Sequence, residues 1–393
     1  MDPVGLYISI PFCRSKCTYC NFASGVFPLA QMDRYLDRLE ADLGAARDSA
    51  PWRAALPAKA DSIYLGGGTP SLLSASQVDR LFLLLRRHFE VLPGAEITVE
   101  CAPGQLEDAT LTAMAANGVN RLSFGVQSFI DEEAKHTGRL HTRAIALEDV
   151  ARVHCSGIAR ISLDLIAGLP GQTEASWRES VEVLIASGVN HASLYMLEID
   201  DDSRLGREIE NGGLRYYAPQ VPSDEAITTM YLEGAAMLEA AGLLQYEISN
   251  FARPGYESAH NLKYWERRPY LGLGLDAHSM LRDAQGRVFR FATSSELPRF
   301  LEAPGWHDAQ ALKGEEELEE AWFLGLRLNR GVSLTELEAE FGTEAIEPFQ
   351  QTIAELKEES LLAQQQDRIC LTAKGRLLSN DVFERFLMSE TEA

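Results

Sequence analysis

The sequence predicts an α/β protein, a partial and open (βα)6 barrel followed by a small C-terminal α+β module like a winged helix. A helix–glycine–strand junction recurs four times, in ANGVNRLSF, CSGIARISL, ASGVNHASL and AAGLLQYEI. Glycine readily adopts the left-handed backbone conformation of the residue that ends a helix. Between the junctions lie short apolar runs typical of parallel strands buried on both faces. Six such units fall short of a closed eight-stranded barrel, so we expect an open one.

Each predicted strand is short and rich in Ile, Leu, Val or Tyr. The six are Leu6–Ile10, Ser62–Leu65, Glu96–Cys101, Arg121–Val126, Arg160–Ile166 and His191–Leu197. Segments such as SQVDRLFLLLRRHFE have the apolar spacing of amphipathic helices. Chemistry in such folds gathers at the carboxyl ends of the strands, so polar residues that end strands are candidate site residues.

We expect three segments: the barrel at residues 1–200, a barrel extension at 201–304, and the winged-helix-like module at 305–393. In the extension, EIDDDSRLGREIENGG predicts a solvated surface loop, and LLQYEISNFARPG predicts a further strand and turn. Winged helices often bind DNA, but residues 311–393 hold 8 basic and 18 acidic side chains, a net −10. A packing or lid role is therefore the better prediction for this module.

Composition and charge exclude several classes of protein. The chain has 36 basic and 58 acidic residues, a net charge of −22, which repels nucleic acid and anionic lipid. No apolar run approaches the ~18 residues of a transmembrane helix. A strand begins almost at Met1, so we expect no secretory signal. Six cysteines in 393 residues are sparse, and three of them, Cys101, Cys155 and Cys370, are scattered, which argues against a disulfide framework. We expect a cytoplasmic protein that does not bind nucleic acid.

Three cysteines stand together just after the first strand. Cys13, Cys17 and Cys20 lie in PFCRSKCTYCNF, and thiolates at such close spacings hold iron–sulfur clusters. Three protein ligands on a four-iron cluster would leave one iron open to substrate. Zinc is the weaker alternative, because a structural zinc site needs four ligands and no histidine lies in the first eighty residues. Chance clustering is a further alternative.

Other polar or glycine-rich positions end strands and form a candidate ring. GGGTPSLL follows the second strand; its glycines permit close backbone approach to a ligand, although any tight turn can use them. Glu100 and Gln127 end strands, and Asp164 interrupts an apolar strand, where an unpaired acid is costly. Arg139 and His141, in TGRLHT, could clamp a carboxylate, although a solvated loop explains them equally well.

Several motifs of the sequence, taken in order, resemble those of a known family. The CxxxCxxC spacing and GGGTP resemble those of the radical S-adenosylmethionine enzymes. LYISIPFC, YLGGGTPSLL, FGVQSF, GRLHT, DLIAGLPGQT, YEISNFA and HNLKYW resemble the branch that contains oxygen-independent coproporphyrinogen III oxidase. Within that branch they fit best the haem-chaperone family called HemW. The match runs from Leu6 to about Met280 and continues weakly into the C-terminal module.

The resemblance implies the cofactors and the residues that hold them. It implies a [4Fe–4S] cluster on Cys13, Cys17 and Cys20, with S-adenosylmethionine bound at the open iron. The residues that match the first S-adenosylmethionine site of the oxidase are Tyr7, Gly67 and Glu100. Those that match its second site are Tyr19, Gly68, Thr69, Gln127, Arg139 and Asp164. One or two such molecules are therefore expected.

The segment His260-Asn-Leu-Lys-Tyr264-Trp265 is the candidate haem site. An imidazole is a good axial ligand for haem iron, and the two aromatic rings could stack on a porphyrin. From residue chemistry alone, a local hydrogen-bonding group is the more ordinary interpretation; the resemblance favours haem binding through His260. His278, in GLDAHS, is a second imidazole for the same region. Asp276 departs from the family's glycine-rich sequence there.

The predicted function is that of a haem chaperone with no catalytic residue. It would pass haem to an apo-acceptor such as a membrane-bound respiratory haem protein. The alternative is the oxidase, which decarboxylates coproporphyrinogen propionates. Against it stand Phe22, where the oxidase has a further cysteine, and the absence of its extended N-terminal segment. A third alternative is a cluster protein that only senses iron or oxygen, but that function does not explain the presence of GGGTP, Glu100 and Asp164.

Overall fold

A twelve-stranded sheet forms the centre of the protein. The computed structural model describes residues 2–48, 50, 52–302 and 306–388. Six parallel strands lie side by side in chain order, and each carries one of the predicted strands: β1 Val4–Ile10, β2 Lys59–Gly67, β3 Glu90–Cys101, β4 Arg121–Gln127, β5 Arg160–Ala167 and β6 His191–Met196. The predicted α/β class and the parallel order are therefore confirmed.

Helices connect these strands and bury their apolar faces against the sheet. The first eight are α1 Met32–Asp48, α2 Ala75–His88, α3 Asp108–Ala116, α4 Asp131–His136, α5 Arg143–Cys155, α6 Glu174–Ala186, α7 Arg204–Asn211 and α8 Asp224–Ala240. The four junction glycines, Gly118, Gly157, Gly188 and Gly242, all have positive φ. That conformation ends each helix and turns the chain into the next strand, as the junction pattern predicts.

The sheet continues past both edges of the six-strand unit. Beyond β6 lie β8 Asn250–Ala252 and β7 Leu244–Gln245; beyond β1 lie β9 Tyr270–Leu273, β10 His278–Arg282, β11 Val288–Ala292 and β12 His307–Ala311. β9 runs parallel to β1, with Tyr7 opposite Gly272. Sequence reasoning missed this seventh parallel strand because it has only four residues and no helix–glycine junction precedes it.

The acidic segment after β6 is not the solvated loop that its composition predicts. It contains α7, whose Leu205 and Glu208 are buried. The backbone N–H of Leu205 donates to the carbonyl of Thr18 at 2.9 Å. The Glu208 carboxylate accepts the backbone N–H groups of Tyr216 and Ala218. The loop prediction is wrong because these acidic and apolar side chains turn inward, and α7 covers part of the cysteine loop.

The C-terminal module has its own hydrophobic core, centred on Trp322. Its helices are α11 Gly314–Leu326, α12 Leu334–Phe341, α13 Thr343–Ile346, α14 Phe349–Glu358, α15 Ala373–Leu377 and α16 Ser379–Glu384, and its antiparallel sheet is β13 Val332–Ser333, β15 Arg368–Leu371 and β14 Leu362–Gln365. The predicted boundary at residue 304 lies outside the described residues, and the boundary at 200 stays a prediction.

Two further helices, α9 Ala259–Trp265 and α10 Leu297–Glu302, precede the module. The module contacts the chain just after α9 through ion pairs, Arg267 with Glu340 at 2.5 Å and Arg330 with Glu266 at 2.6 Å. Arg327 lies over the ring of Trp265 at 4.3 Å. Helix α9 is therefore held between the parallel strands and the module. No helix within the described ranges is both long and apolar enough to cross a membrane.

Candidate functional site

The cysteine loop leaves the carboxyl end of β1 and is pinned at its base. The backbone N–H of Cys13 donates to the carbonyl of Gly25 at 2.9 Å, and that of Gly25 donates to the carbonyl of Pro11 at 2.9 Å. The ammonium of Lys16 donates to the carbonyls of Phe22 and Ser24, each at 3.0 Å. These bonds fold the loop back on itself, so the three cysteines share one compact turn.

The glycine motif at the end of β2 packs directly on this loop. The backbone N–H of Gly68 donates to the carbonyl of Ile10 at 3.0 Å, and that of Thr69 donates to the carbonyl of Phe12 at 2.9 Å. A β-carbon at Gly68 would lie 2.6 Å from the carbonyl oxygen of Ile10, which only glycine avoids. The Thr69 hydroxyl donates to the Sγ of Cys13 at 3.7 Å. The two motifs therefore form one unit.

Two carboxyl groups lie in the barrel interior, Glu100 near the end of β3 and Asp164 within β5, with β4 between these strands. Glu100 accepts a hydrogen bond from the hydroxyl of Tyr64 at 2.8 Å, and burial raises its pKa to about 7. Burial likewise raises the pKa of Asp164 to about 6, and Ser123 lies 3.4 Å from its carboxylate. Desolvation disfavours the charged form of both groups, as expected for acids in a site that a polar ligand would complete.

Beside Asp164 lies a group of polar side chains with unpartnered buried atoms. In the described part of the chain, the Oε1 of Gln127, the Nε of Arg139 and the Nε2 of His141 have no hydrogen-bond partner. Arg139 is held by the hydroxyl of Tyr19 at 3.4 Å. His141 is buried, and desolvation lowers its pKa to about 4. The solvated-loop alternative for Arg139 and His141 is therefore wrong.

The backbone at Gln127 also departs from regular strand geometry. Its φ is 70°, in the left-handed region that a non-glycine residue rarely adopts. The β4–β5 pairing shifts register between Gly125 and Gln127, which is a β-bulge. Bulges re-aim side chains and are common next to functional sites. Here the bulge directs the Gln127 amide toward Arg139, whose guanidinium lies close to Gly125.

A cavity of about 340 Å³ opens beside the cysteine loop. Its lining is Tyr7, Ser9, Phe22, Ala23, Gly67, Glu100, Tyr264, Tyr270, Leu275, Asp276 and His278. The three residues matched to the first S-adenosylmethionine site are therefore brought together. Tyr270 of β9 and Leu275 in the turn after it were missed, because that strand was not predicted beside β1, whereas Asp276 and His278 were named from the sequence. The alternation in YLGLGL was the available signal.

His260 lies deep in the protein and outside that lining. Its side chain has no exposed surface, its Nδ1 lies 2.9 Å from the Oγ of Ser62, and its Nε2 lies 2.8 Å from the hydroxyl of Tyr264. Its backbone N–H donates to the carboxylate of Glu96 at 3.1 Å. Desolvation lowers the pKa of the imidazole to about 3. Of this motif, Tyr264 reaches the cavity.

The donor set at the cysteine loop fits an iron–sulfur cluster better than a single ion. All three thiols are unpaired and half-buried. Within the described ranges, no three His, Cys, Asp or Glu side chains lie close enough to share one metal ion. Three free thiols on one turn, beside a glycine loop and unpartnered polar groups, match what a cluster with a polar ligand requires.

Comparison with known proteins adds the family to this geometry. The model of the radical SAM superfamily matches residues 7–184, and that of the HemN C-terminal domain matches residues 312–378. "Heme chaperone HemW" of Lactococcus lactis is 33% identical over 391 residues, covering 99% of this chain and 98% of the relative. This chain belongs to the HemW family. The HemW protein of Escherichia coli is 32% identical, covering 98% of this chain and 99% of its own length.

A solved structure shares the HemW-family fold. Coproporphyrinogen III oxidase (HemN) from Escherichia coli aligns with a TM-score of 0.84, covering 98% of this chain and 90% of its own, at 24% identity. At that identity the likeness shows the fold alone. The aligned region includes both the parallel sheet and the C-terminal module, and the alignment thereby confirms the predicted architecture.

Proposed function

We propose that this protein is a cytoplasmic haem chaperone that carries a [4Fe–4S] cluster on Cys13, Cys17 and Cys20. It binds S-adenosylmethionine beside the cluster, holds haem as its cargo, and delivers that haem to an apo-acceptor such as a membrane-bound respiratory haem protein. The observation that carries the proposal is the end-to-end similarity, at about a third identity, to several proteins named heme chaperone HemW.

The site supports the cofactor part of the proposal. When bound, the cluster and S-adenosylmethionine supply one-electron chemistry that no side chain can perform. Gly67 and Gly68 allow the backbone to approach the ligand closely, and Tyr7 forms part of the cavity wall. Glu100, with a pKa of about 7, can present either a carboxylate or a carboxylic acid to a ligand amine or hydroxyl near neutral pH.

The second group of polar residues supports a second polar ligand. Tyr19, Gln127, Arg139 and Asp164 lie together; the unpartnered Nε–H of Arg139 can donate to a carboxylate, and the unpartnered Oε1 of Gln127 can accept from an amine. An amino acid moiety offers both groups, so a second S-adenosylmethionine fits this position. The hydroxyl of Thr69, also matched to this second position, donates a hydrogen bond to the Sγ of Cys13.

The test of the chaperone function is haem transfer. The cluster-reconstituted protein is loaded with ferric haem, desalted, and mixed with an apo-globin as acceptor. We expect haem to stay bound through desalting and then to appear in the globin, with the globin's own absorption spectrum. Haem that is lost on desalting, or that never reaches the acceptor, would contradict the proposal. Bovine serum albumin loaded with haem in parallel separates directed transfer from passive release.

A further inference from the structure

His260 has no free ring nitrogen with which to bind iron. Axial ligation needs an unshared nitrogen lone pair and open space in front of it. Both ring nitrogens lie within 2.9 Å of hydroxyl oxygens, those of Ser62 and Tyr264. The ring of Tyr64 lies 5.3 Å from the imidazole, and the side chain has no exposed surface. The ring nitrogens of His260 are therefore already engaged by hydroxyl groups, and the packing around the ring leaves no space for an iron atom.

The helix that carries His260 is also fixed from several sides. The ammonium of Lys263 pairs with Asp61 at 2.7 Å and donates to the carbonyl of Pro3 at 3.0 Å. A β-carbon added to Gly5 would lie 3.2 Å from the His260 ring, so β1 passes directly against it. Freeing the imidazole would mean separating α9 from the first two strands. The geometry gives His260 the role of aligning Tyr264 at the cavity wall.

A second imidazole does reach the cavity. His278 lines it at the start of β10, its side chain is exposed, and among the described residues it has no hydrogen-bond partner. Asp276, two residues earlier, has a left-handed φ of 54°, which shapes the turn between β9 and β10. The free imidazole thus stands on a rigid strand end rather than on a loose loop.

The surroundings of His278 suit a flat, largely apolar ligand. Phe22, whose side chain is 63% exposed, and Tyr270 line the same cavity as His278. Aromatic rings of this kind pack on porphyrin faces. Gly67 and Glu100 belong to the ends of β2 and β3, whereas Phe22, Asp276 and His278 are exposed at the opening. A large macrocycle can meet His278 at the opening without entering the interior.

We propose that His278 is the protein ligand of the haem iron and that His260 is a positioning residue. This inference rests on the proposed haem binding and names its site. The haem iron accepts a lone pair from one imidazole nitrogen of His278 in place of water, with no change in oxidation state. The macrocycle contacts the ring of Phe22 at the opening of the cavity.

The test is a ferric haem titration of three single variants, followed by absorption and electron paramagnetic resonance. His278→Ala should raise the haem Kd at least about tenfold and remove the spectral signature of imidazole ligation. Added free imidazole should restore that signature. His154→Ala removes an exposed imidazole outside the cavity and should match the wild type in both respects. His260→Ala should lower the melting temperature while its folded fraction keeps the imidazole signature.

Three results would overturn the inference. One is a His278→Ala protein that retains wild-type affinity and spectrum. Another is loss of the imidazole signature in folded His260→Ala. A third is a His278→Ala protein that loses affinity for S-adenosylmethionine but not for haem, which would assign the residue to the other ligand. Failure of the wild type to bind haem at all would instead refute the proposed function.

Discussion

The amino and carboxyl ends of the parallel strands treat buried polar groups differently. At the amino ends, Arg121 and Glu96 form an ion pair at 3.0 Å with both side chains almost fully buried, and Lys263 pairs with Asp61, although the Nη1 of Arg121 has no hydrogen-bond partner among the described residues. At the carboxyl ends, Gln127 and Arg139 also keep buried atoms without a hydrogen-bond partner, and Arg139 forms no ion pair within the described chain. A group that folding leaves unsatisfied costs stability, so its retention points to a ligand.

This difference also sorts the two imidazoles. We call the amino ends of the strands the paired end and the carboxyl ends, where the cavity lies, the open end. His260 belongs to the paired end, where its ring nitrogens contact the hydroxyls of Ser62 and Tyr264, and His278 belongs to the open end. Residue type alone does not separate them, since either could ligate iron. What separates them is whether the folded chain has already used their nitrogens. We expect variants at the paired end to change stability and those at the open end to change binding.

The largest expected effect is at the cysteine loop. Cys17→Ala should abolish the iron content and the visible absorption of the anaerobically reconstituted protein, because three ligands are the minimum set available on this loop. Cys155→Ala, which removes an exposed thiol on α5, is the matched control and should reconstitute like the wild type. Iron and sulfide assays measure both. Unchanged iron in Cys17→Ala would remove the cluster from this loop.

The paired end should respond through stability. Arg121→Ala leaves the buried Glu96 with the half-exposed Arg160 as its remaining ion-pair partner among the described residues, and breaking such a buried pair costs about 3–5 kcal/mol. Urea unfolding of the apo-protein measures the loss. Arg143→Ala, which removes a surface pair with Glu179, should cost at most about 1 kcal/mol. Equal losses in the two variants would show that burial does not set the value of the Arg121 pair.

At the open end, replacing the carboxylate of Glu100 with a neutral group should stabilise the apo-protein. Because the pKa of Glu100 is raised to about 7 in the folded protein, the folded state binds more protons than the unfolded state between about pH 4.5 and 7. Stability from this group therefore falls as pH rises through that window. Above pH 7, Glu100→Gln should be more stable than the wild type by about 1–3 kcal/mol in the apo form, and the gain should vanish near pH 4.

The matched control for that prediction is Glu182→Gln, on the exposed face of α6. Its stability difference from the wild type should stay near zero from pH 4 to pH 8, as measured by urea unfolding in the same buffers. The Glu100→Gln protein should also bind S-adenosylmethionine more weakly. Lower stability of Glu100→Gln at pH 8 would contradict the assignment of Glu100 as a group kept for a ligand.

Local pattern in the sequence predicts the strands and the cysteine loop, and long-range contact decides the rest. The six strands and the junction glycines follow from apolar periodicity and from the needs of helix ends. β9 and α7 escaped prediction because one is four residues long and the other is mostly polar. The environment of His260 depends on Ser62, 198 residues away in the chain, and no pattern near HNLKYW indicates that partner.

The most direct test of the chaperone assignment is an anaerobic turnover assay. The cluster-reconstituted protein is given S-adenosylmethionine, a low-potential reductant and coproporphyrinogen III, and protoporphyrinogen is sought by mass spectrometry, with S-adenosylmethionine binding measured in the same sample. We expect bound S-adenosylmethionine and no decarboxylated product. Product formed over multiple turnovers would contradict the account and make the protein an oxidase despite Phe22.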